Sequence, residues 1–181
     1  MRAGRWLRQL AVLALLFLLM LVIAEFRAPS ERLTSDGTEV QVIDGDSLRI
    51  GTRTVRLQGI DAVEYQQLCR MPDGIEWRCG IEARNALAAL VGRGGLVCEA
   101  HATDNFGRAV STCSANGVED VGAALVEQGW AVSGDGEREG SYVSQQRAAQ
   151  QAKRGLWRGS FERPAQWRAA HPRNAPPVPA G

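Results

Sequence analysis

Val40-Gln41-Val42-Ile43-Asp44-Gly45-Asp46-Ser47-Leu48-Arg49-Ile50-Gly51-Thr52-Arg53-Thr54-Val55-Arg56-Leu57 decides how this chain folds. Val40 and Val42 alternate with polar neighbours, and Asp44-Gly45-Asp46 marks a tight turn. Leu48 and Ile50 alternate next, Gly51-Thr52 turns the chain again, and Val55 and Leu57 give a third alternation. Three short strands joined by brief turns make a β-meander. Downstream, Ala83, Leu87, Leu90 and Val91 have helical spacing and Gly92 stops the run. A hairpin is expected from Leu96 to Cys113, turning through Thr103-Asp104-Asn105-Phe106-Gly107. Asp120 is placed to cap a short helix over 121–128, and 141–154 is a further helical window closed by Gly155. The expected fold is α+β, a five-stranded OB-like β-barrel with about three helices, preceded by an N-terminal hydrophobic helix. Such an architecture says little about chemistry by itself.

Composition narrows the function. The 181 residues carry 21 basic and 20 acidic side chains, a net charge of +1. Five of the basic and three of the acidic groups lie in the first 37 residues, so the remainder is close to neutral at −1. A protein that coats a polyanion through bulk charge needs a basic excess to release counterions, so any nucleic-acid contact here depends on a few placed residues. All but one of the basic residues (Lys153) are arginine.

Arg2, Arg5 and Arg8 precede an unbroken apolar run from Leu10 to Ala24. As a helix that run spans roughly 22 Å, short of a hydrocarbon core of about 30 Å. Basic flank, short apolar stretch and Val22-Ile23-Ala24 fit a secretory signal, and an uncleaved membrane anchor is the competing reading. The organisation expected is signal or anchor over 1–24, linker over 25–37, folded domain over 38–158 and a proline-rich tail over 159–181. An exported chain, secreted, periplasmic or tethered to the membrane by this segment, matures where disulfides persist. Cys69, Cys79, Cys98 and Cys113 allow three pairings. A bridge across the hairpin, Cys98 to Cys113, would leave Cys69 and Cys79 to close the glycine- and proline-containing loop between them. The spacings contain no C-x-x-C pair, which disfavours zinc.

Asp46 shares the parity of Leu48 and Ile50, so a strand would send its carboxylate to their face. An ionised carboxylate there is costly unless a cation stabilises it. Asp61 ends the third strand region and Glu64 follows by three residues. Arg56 alternates out of phase with Val55 and Leu57, and Arg108 follows the hairpin turn. Trp77, Trp130, Trp157 and Trp167 read as packing groups, and His101 and His171 as surface residues without a clear partner.

Taken in order, Val42-Ile43-Asp44-Gly45-Asp46-Ser47, Val55-Arg56-Leu57-Gln58-Gly59-Ile60-Asp61-Ala62-Val63-Glu64, Asp104-Asn105-Phe106-Gly107-Arg108, Ala124-Leu125-Val126-Glu127-Gln128-Gly129-Trp130-Ala131 and Ala152-Lys153-Arg154-Gly155-Leu156-Trp157 resemble the staphylococcal nuclease (thermonuclease) family. The resemblance implies an OB-barrel hydrolase that cleaves DNA and RNA phosphodiesters with Ca²⁺. Asp46 and Asp61 would then give carboxylates to calcium, and the Ala62 backbone carbonyl a further ligand. Glu64 would act on the attacking water, while Arg56 and Arg108 would grip the phosphate. The family often has Thr-Pro where this chain has Ala62-Val63, and Lys-Tyr where it has Asn105-Phe106. No tyrosine follows Trp130 over 131–135 to stack on a base.

The function expected is a calcium-dependent nuclease of the thermonuclease type, monomeric as a soluble domain, with DNA or RNA as substrate. The alternative is an inactive OB module that binds single-stranded nucleic acid or a protein partner in the envelope.

Overall fold

The computed structural model describes residues 12–20, 31–134 and 141–172. The chain divides into two units, 1–30 and 31–181. In the first, residues 12–20 form helix α1. The flanks of the expected signal or anchor (1–11 and 21–24), the start of the expected linker (25–30), residue 135 and the end of the tail (173–181) lie outside the described residues. Among the described residues, no helix is long and apolar enough to cross a membrane.

The second unit is built on the meander. Strands β2 (Val40–Val42), β3 (Ser47–Ile50) and β4 (Arg53–Leu57) pair antiparallel in sequence order. The hairpin supplies β8 (Leu96–Thr103) and β9 (Ala109–Ser114), and β9 lies parallel to β4, with Arg56 opposite Val110. These are the five strands that alternation picks out. A sixth, β1 (Arg32–Ser35), extends the sheet beyond β8 to give the order β1-β8-β9-β4-β3-β2. Its residues were expected to be linker. That expectation is corrected: an edge strand with one half-buried face, Leu33 and Ser35, needs little apolar sequence to pair. Curled on itself, the sheet gives the OB-like barrel and the α+β class that the sequence predicts.

Two smaller ladders complete the strands. β5 (Ile60–Ala62) pairs with β10 (Ala131–Ser133), and β6 (Cys69–Arg70) with β7 (Glu76–Trp77). Helix α2 (Cys79–Val91) turns Ala83, Leu87, Leu90 and Val91 inward against the barrel. Leu48, Val55, Leu57, Leu87, Leu96 and Leu125 are at most 2% exposed. Each such side chain contributes about 1.5–3 kcal/mol by leaving water.

Both disulfides are those the loop argument favours, Cys69–Cys79 and Cys98–Cys113, and the described residues hold no free cysteine. The second joins residues directly opposite each other on β8 and β9, and the first closes the β6–β7 loop onto the start of α2. Two bridges mark a chain of an oxidising compartment.

Helix α3 (Val121–Glu127) begins as predicted, with the Asp120 carboxylate accepting from the Ala123 amide at 2.9 Å. The same carboxylate accepts the Tyr142 hydroxyl at 2.8 Å, tying α3 to the start of α4 (Val143–Gln151). Burial first, and then Asp120, push the Tyr142 phenol well above its usual range. Asp120→Ala removes a cap and strands a half-buried hydroxyl, and should cost about 2 kcal/mol in urea unfolding. Tyr142→Phe should cost about half as much, because the cap survives.

The expected tail departs most from the sequence reading. After the 3₁₀ turn over Gly155–Arg158, residues Pro164–Ala170 form helix α5. Pro164 is not a breaker here: it occupies the first turn, where its missing N–H costs nothing, and is buried. Ala-Gln-Trp-Arg-Ala-Ala then continues the helix with strong formers.

Candidate functional site

The turn between β2 and β3 is fixed by its own aspartates. The Asp44 carboxylate accepts the Asp46 amide at 3.1 Å, and Asp46 enters the barrel wall 4% exposed. A side chain on Gly45 would lie 2.7 Å from the Ala62 Cβ, so glycine lets this turn press against β5. The Asp46 carboxylate accepts the Ser47 hydroxyl at 2.8 Å and the Ala62 amide at 3.4 Å.

Arg56, one strand over, meets it. The register sets Arg56 opposite Ser47, and the outward parity of Arg56 carries its guanidinium above the barrel end. Nη2 lies 3.2 Å from Asp46 Oδ2 and 3.4 Å from Asp61 Oδ1, so both aspartates converge on one nitrogen. Asp61 is brought there by β5. Arg108 approaches from the far side of the hairpin. Asp104 clips it by accepting the Arg108 Nε at 2.7 Å and its backbone amide at 2.9 Å. From there Arg108 Nη1 reaches the Ser47 hydroxyl at 3.4 Å. The Arg108 guanidinium also stands 5.5 Å from the centre of the exposed Phe106 ring.

Glu64 lies past β5 on a turn that two features hold. Its backbone amide donates to the Gln67 side chain at 3.1 Å, and its carbonyl presses on α2, where a Cβ on Gly80 would come within 1.9 Å of that oxygen. Gln67 is fully buried, and its amide nitrogen donates to the Glu162 carbonyl at 2.7 Å. One side chain therefore joins the Glu64 turn to the segment that leads into α5.

Asp46, Arg56, Ala62, Glu64 and Arg108 line one cleft of about 500 Å³. Asp61 faces an adjoining hollow of about 650 Å³, and Arg56 and Arg168 border both. The six catalytic and metal-site candidates thus border two hollows that share Arg56 and Arg168.

Four contributors were not expected. Arg168 on α5 donates Nη1 to Asp61 Oδ1 at 2.9 Å and to Glu64 Oε1 at 3.0 Å, and Nη2 to Asp61 Oδ2 at 3.1 Å. Hydrogen bonding to Asp61, with a lesser share from Glu64, raises its already high pKa further. Trp167 and His171 line the same cleft, stacked at 4.2 Å between ring centres. His171 thus has a partner one helical turn earlier, Trp167, and Trp167 is half-buried at the cleft rather than a core packing group. Gln67 is the fourth.

The donor set fits a hard divalent cation in kind. Two carboxylates and a backbone carbonyl are oxygen ligands of the sort Ca²⁺ takes. The more telling observation is Asp46: burial pushes its carboxyl up to about 7, although Arg56 beside it acts in the opposite direction. One guanidinium leaves that buried charge undercompensated, and a second cation at the same place would restore it. Asp44 and Asp61 add to the excess of negative charge. Among the described residues, however, no three of His, Cys, Asp and Glu gather closely enough to hold a metal unaided. Carbonyl and water or phosphate oxygens would have to complete any shell.

Comparison with known proteins gives the family of the fold. Over 125 residues the chain is 37% identical to a succinoglycan biosynthesis protein, ExoI, of Rhizobium meliloti (strain 1021), a match covering 68% of this chain and 65% of that protein. The family model described as staphylococcal nuclease homologue matches residues 54–159, from β4 to just past the 3₁₀ turn. With a barrel of the same kind and more than half its length matched, the chain belongs to the staphylococcal nuclease homologue family.

Proposed function

We propose that this domain hydrolyses phosphodiester bonds in DNA and RNA with the help of Ca²⁺. The observation that carries the reading is the Arg56 guanidinium, which reaches both Asp46 and Asp61, while Arg108 reaches Ser47, whose hydroxyl donates to Asp46. A phosphate between the two guanidiniums would be held by fixed, permanently charged donors that match its oxygens in pairs. These donors would also take up the charge that grows on those oxygens as the ester breaks. Glu64, at the cleft wall, would accept the proton of the attacking water. Asp46, Asp61 and the Ala62 carbonyl would hold the calcium ion. Bound there, the ion would supply positive charge at a phosphate oxygen and lower the pKa of a water. Phe106 and Trp167 flank the cleft and offer apolar faces to a sugar or base.

We further propose that residues 1–24 export or anchor the chain, so that the monomeric domain over 38–158 acts outside the cytoplasm, secreted, periplasmic or tethered. The test is hydrolysis of DNA and RNA by the purified chain. Cleavage should appear with Ca²⁺, vanish on addition of EGTA and return when Ca²⁺ is resupplied in excess. Absence of cleavage by folded protein at millimolar Ca²⁺ would refute the reading.

One observation favours a second reading, an OB module that binds strands without turnover: Arg168 already engages Asp61 and Glu64. Tight binding of single strands, indifferent to Ca²⁺ and without products, would support it.

A further inference from the structure

Arg168 reaches the site from a helix that lies beyond residues 54–159, the part of the chain matched to the family. It places a cation where the cleft is most acidic. Both oxygens of Asp61 and one of Glu64 are taken by a single guanidinium, over a sequence separation of more than one hundred residues. A calcium ion binds carboxylate oxygens directly, at about 2.3–2.6 Å. The planar fork and a metal ion therefore compete for the oxygens of Asp61.

We propose that Arg168 and a divalent cation are alternative occupants of the Asp61–Glu64 pair, so that α5 sets the cation affinity of the site. This rests on the reading of that pair as part of a calcium site. The anchoring of α5 and the grip of Arg168 are separable. Pro164 is fully buried, and Gln67 holds the Glu162 carbonyl just before the helix, so the base of α5 is fixed. The Arg168 side chain is 39% exposed, so it can leave the acids for solvent without undocking that base. Trp167 and His171, stacked on each other beside it, wall the route by which it swings. Opening vacates Asp61 Oδ2 and the Glu64 oxygen that would take the proton of water, and leaves Asp61 Oδ1 shared with Arg56 alone among the described residues. Closing removes both together.

Competition lowers apparent affinity by the fraction of molecules that are open. Isothermal titration with CaCl₂ of the full chain, of Arg168→Gln and of Arg147→Gln reads this directly. Arg147 lies on α4, exposed and away from the cleft, and controls for the loss of one positive charge. If the closed form holds nine molecules in ten, Arg168→Gln should bind Ca²⁺ about tenfold more tightly, while Arg147→Gln stays within about twofold of the parent. Coupling is reciprocal, so Ca²⁺ should also free the Arg168 guanidinium in the parent chain, read by NMR as faster solvent exchange of its Nε–H. Equal affinity in the parent and Arg168→Gln overturns the competition and leaves the calcium reading standing. Weaker binding by Arg168→Gln overturns it as well, because Arg168 would then support the ion. No binding by either protein, with melting temperatures intact, overturns both.

Discussion

Arg56→Ala should be the most damaging single change at the site, because it strikes stability and turnover together. Asp46 is buried, and among the described residues Arg56 is the one cation paired with it. Removing one member of a buried pair leaves an uncompensated charge and costs about 3–5 kcal/mol. The deficit depends on pH in a direction that can be worked out. Burial holds the Asp46 carboxyl near 7 in the folded chain, above the ordinary value of 3.8, so between these pH values the folded state binds more protons than the unfolded one. Stability contributed by this group is therefore fully present at acid pH and is lost as pH rises toward 7. Without Arg56 the folded value climbs further, so the loss should be small near pH 4 and largest above neutrality. Urea unfolding in EGTA at pH 5 and pH 8 checks this. Arg56→Ala/Asp46→Asn should regain most of the stability and none of the activity. Arg108→Ala offers the contrast: its partner Asp104 is a turn residue with a side chain 19% exposed against 6% for Asp46, so unfolding should change by only about 1 kcal/mol. Turnover should still fall by about 10²–10³, as it does when one transition-state donor is lost. Equal stability loss in the two arginine variants would contradict the assignment of Asp46 as the buried charge.

That contrast also explains what could be seen from sequence alone. Asp46, Arg56, Asp61 and Glu64 fall within nineteen residues of one meander, where strand parity and turn chemistry are local rules. Arg108 follows a hairpin turn whose Asp104 side chain organises it from four residues away. The Cys98–Cys113 pairing follows from hairpin register, and Asp120 announces its helix. By contrast, β5 and β10 are three residues each and pair across some seventy residues of chain, too short and too distant for alternation to reveal. Polarity offers no signal for β1, whose outward residues are Arg32 and Thr34. Arg168 could not be placed at all: an arginine on a short helix is surface by default, and its docking is fixed by Pro164 and Gln67, contacts that no period or cap encodes. Gln67 was equally hidden, since its burial goes with a partner, the Glu162 carbonyl, ninety-five residues away.

Glu64→Gln is the second change of large expected effect, and Gln67 shows how to read it. Glutamine keeps the shape of the side chain and an oxygen for Arg168, so the fold and α5 should stay in place. It cannot take a proton from water, and hydrolysis of DNA at saturating Ca²⁺ should drop by about 10²–10⁴ with the melting temperature little changed. Gln67→Leu acts on the same carboxylate by position. Leucine fills the volume but leaves the Glu64 amide and the Glu162 carbonyl without their partner, at about 1–3 kcal/mol for each group that stays buried. Turnover should fall through a Glu64 turn that wanders, and here, unlike in Glu64→Gln, the melting temperature should fall with it. If Glu64→Gln keeps full activity while Gln67→Leu loses it, the carboxylate is a structural anchor for Arg168, and the proton must go elsewhere.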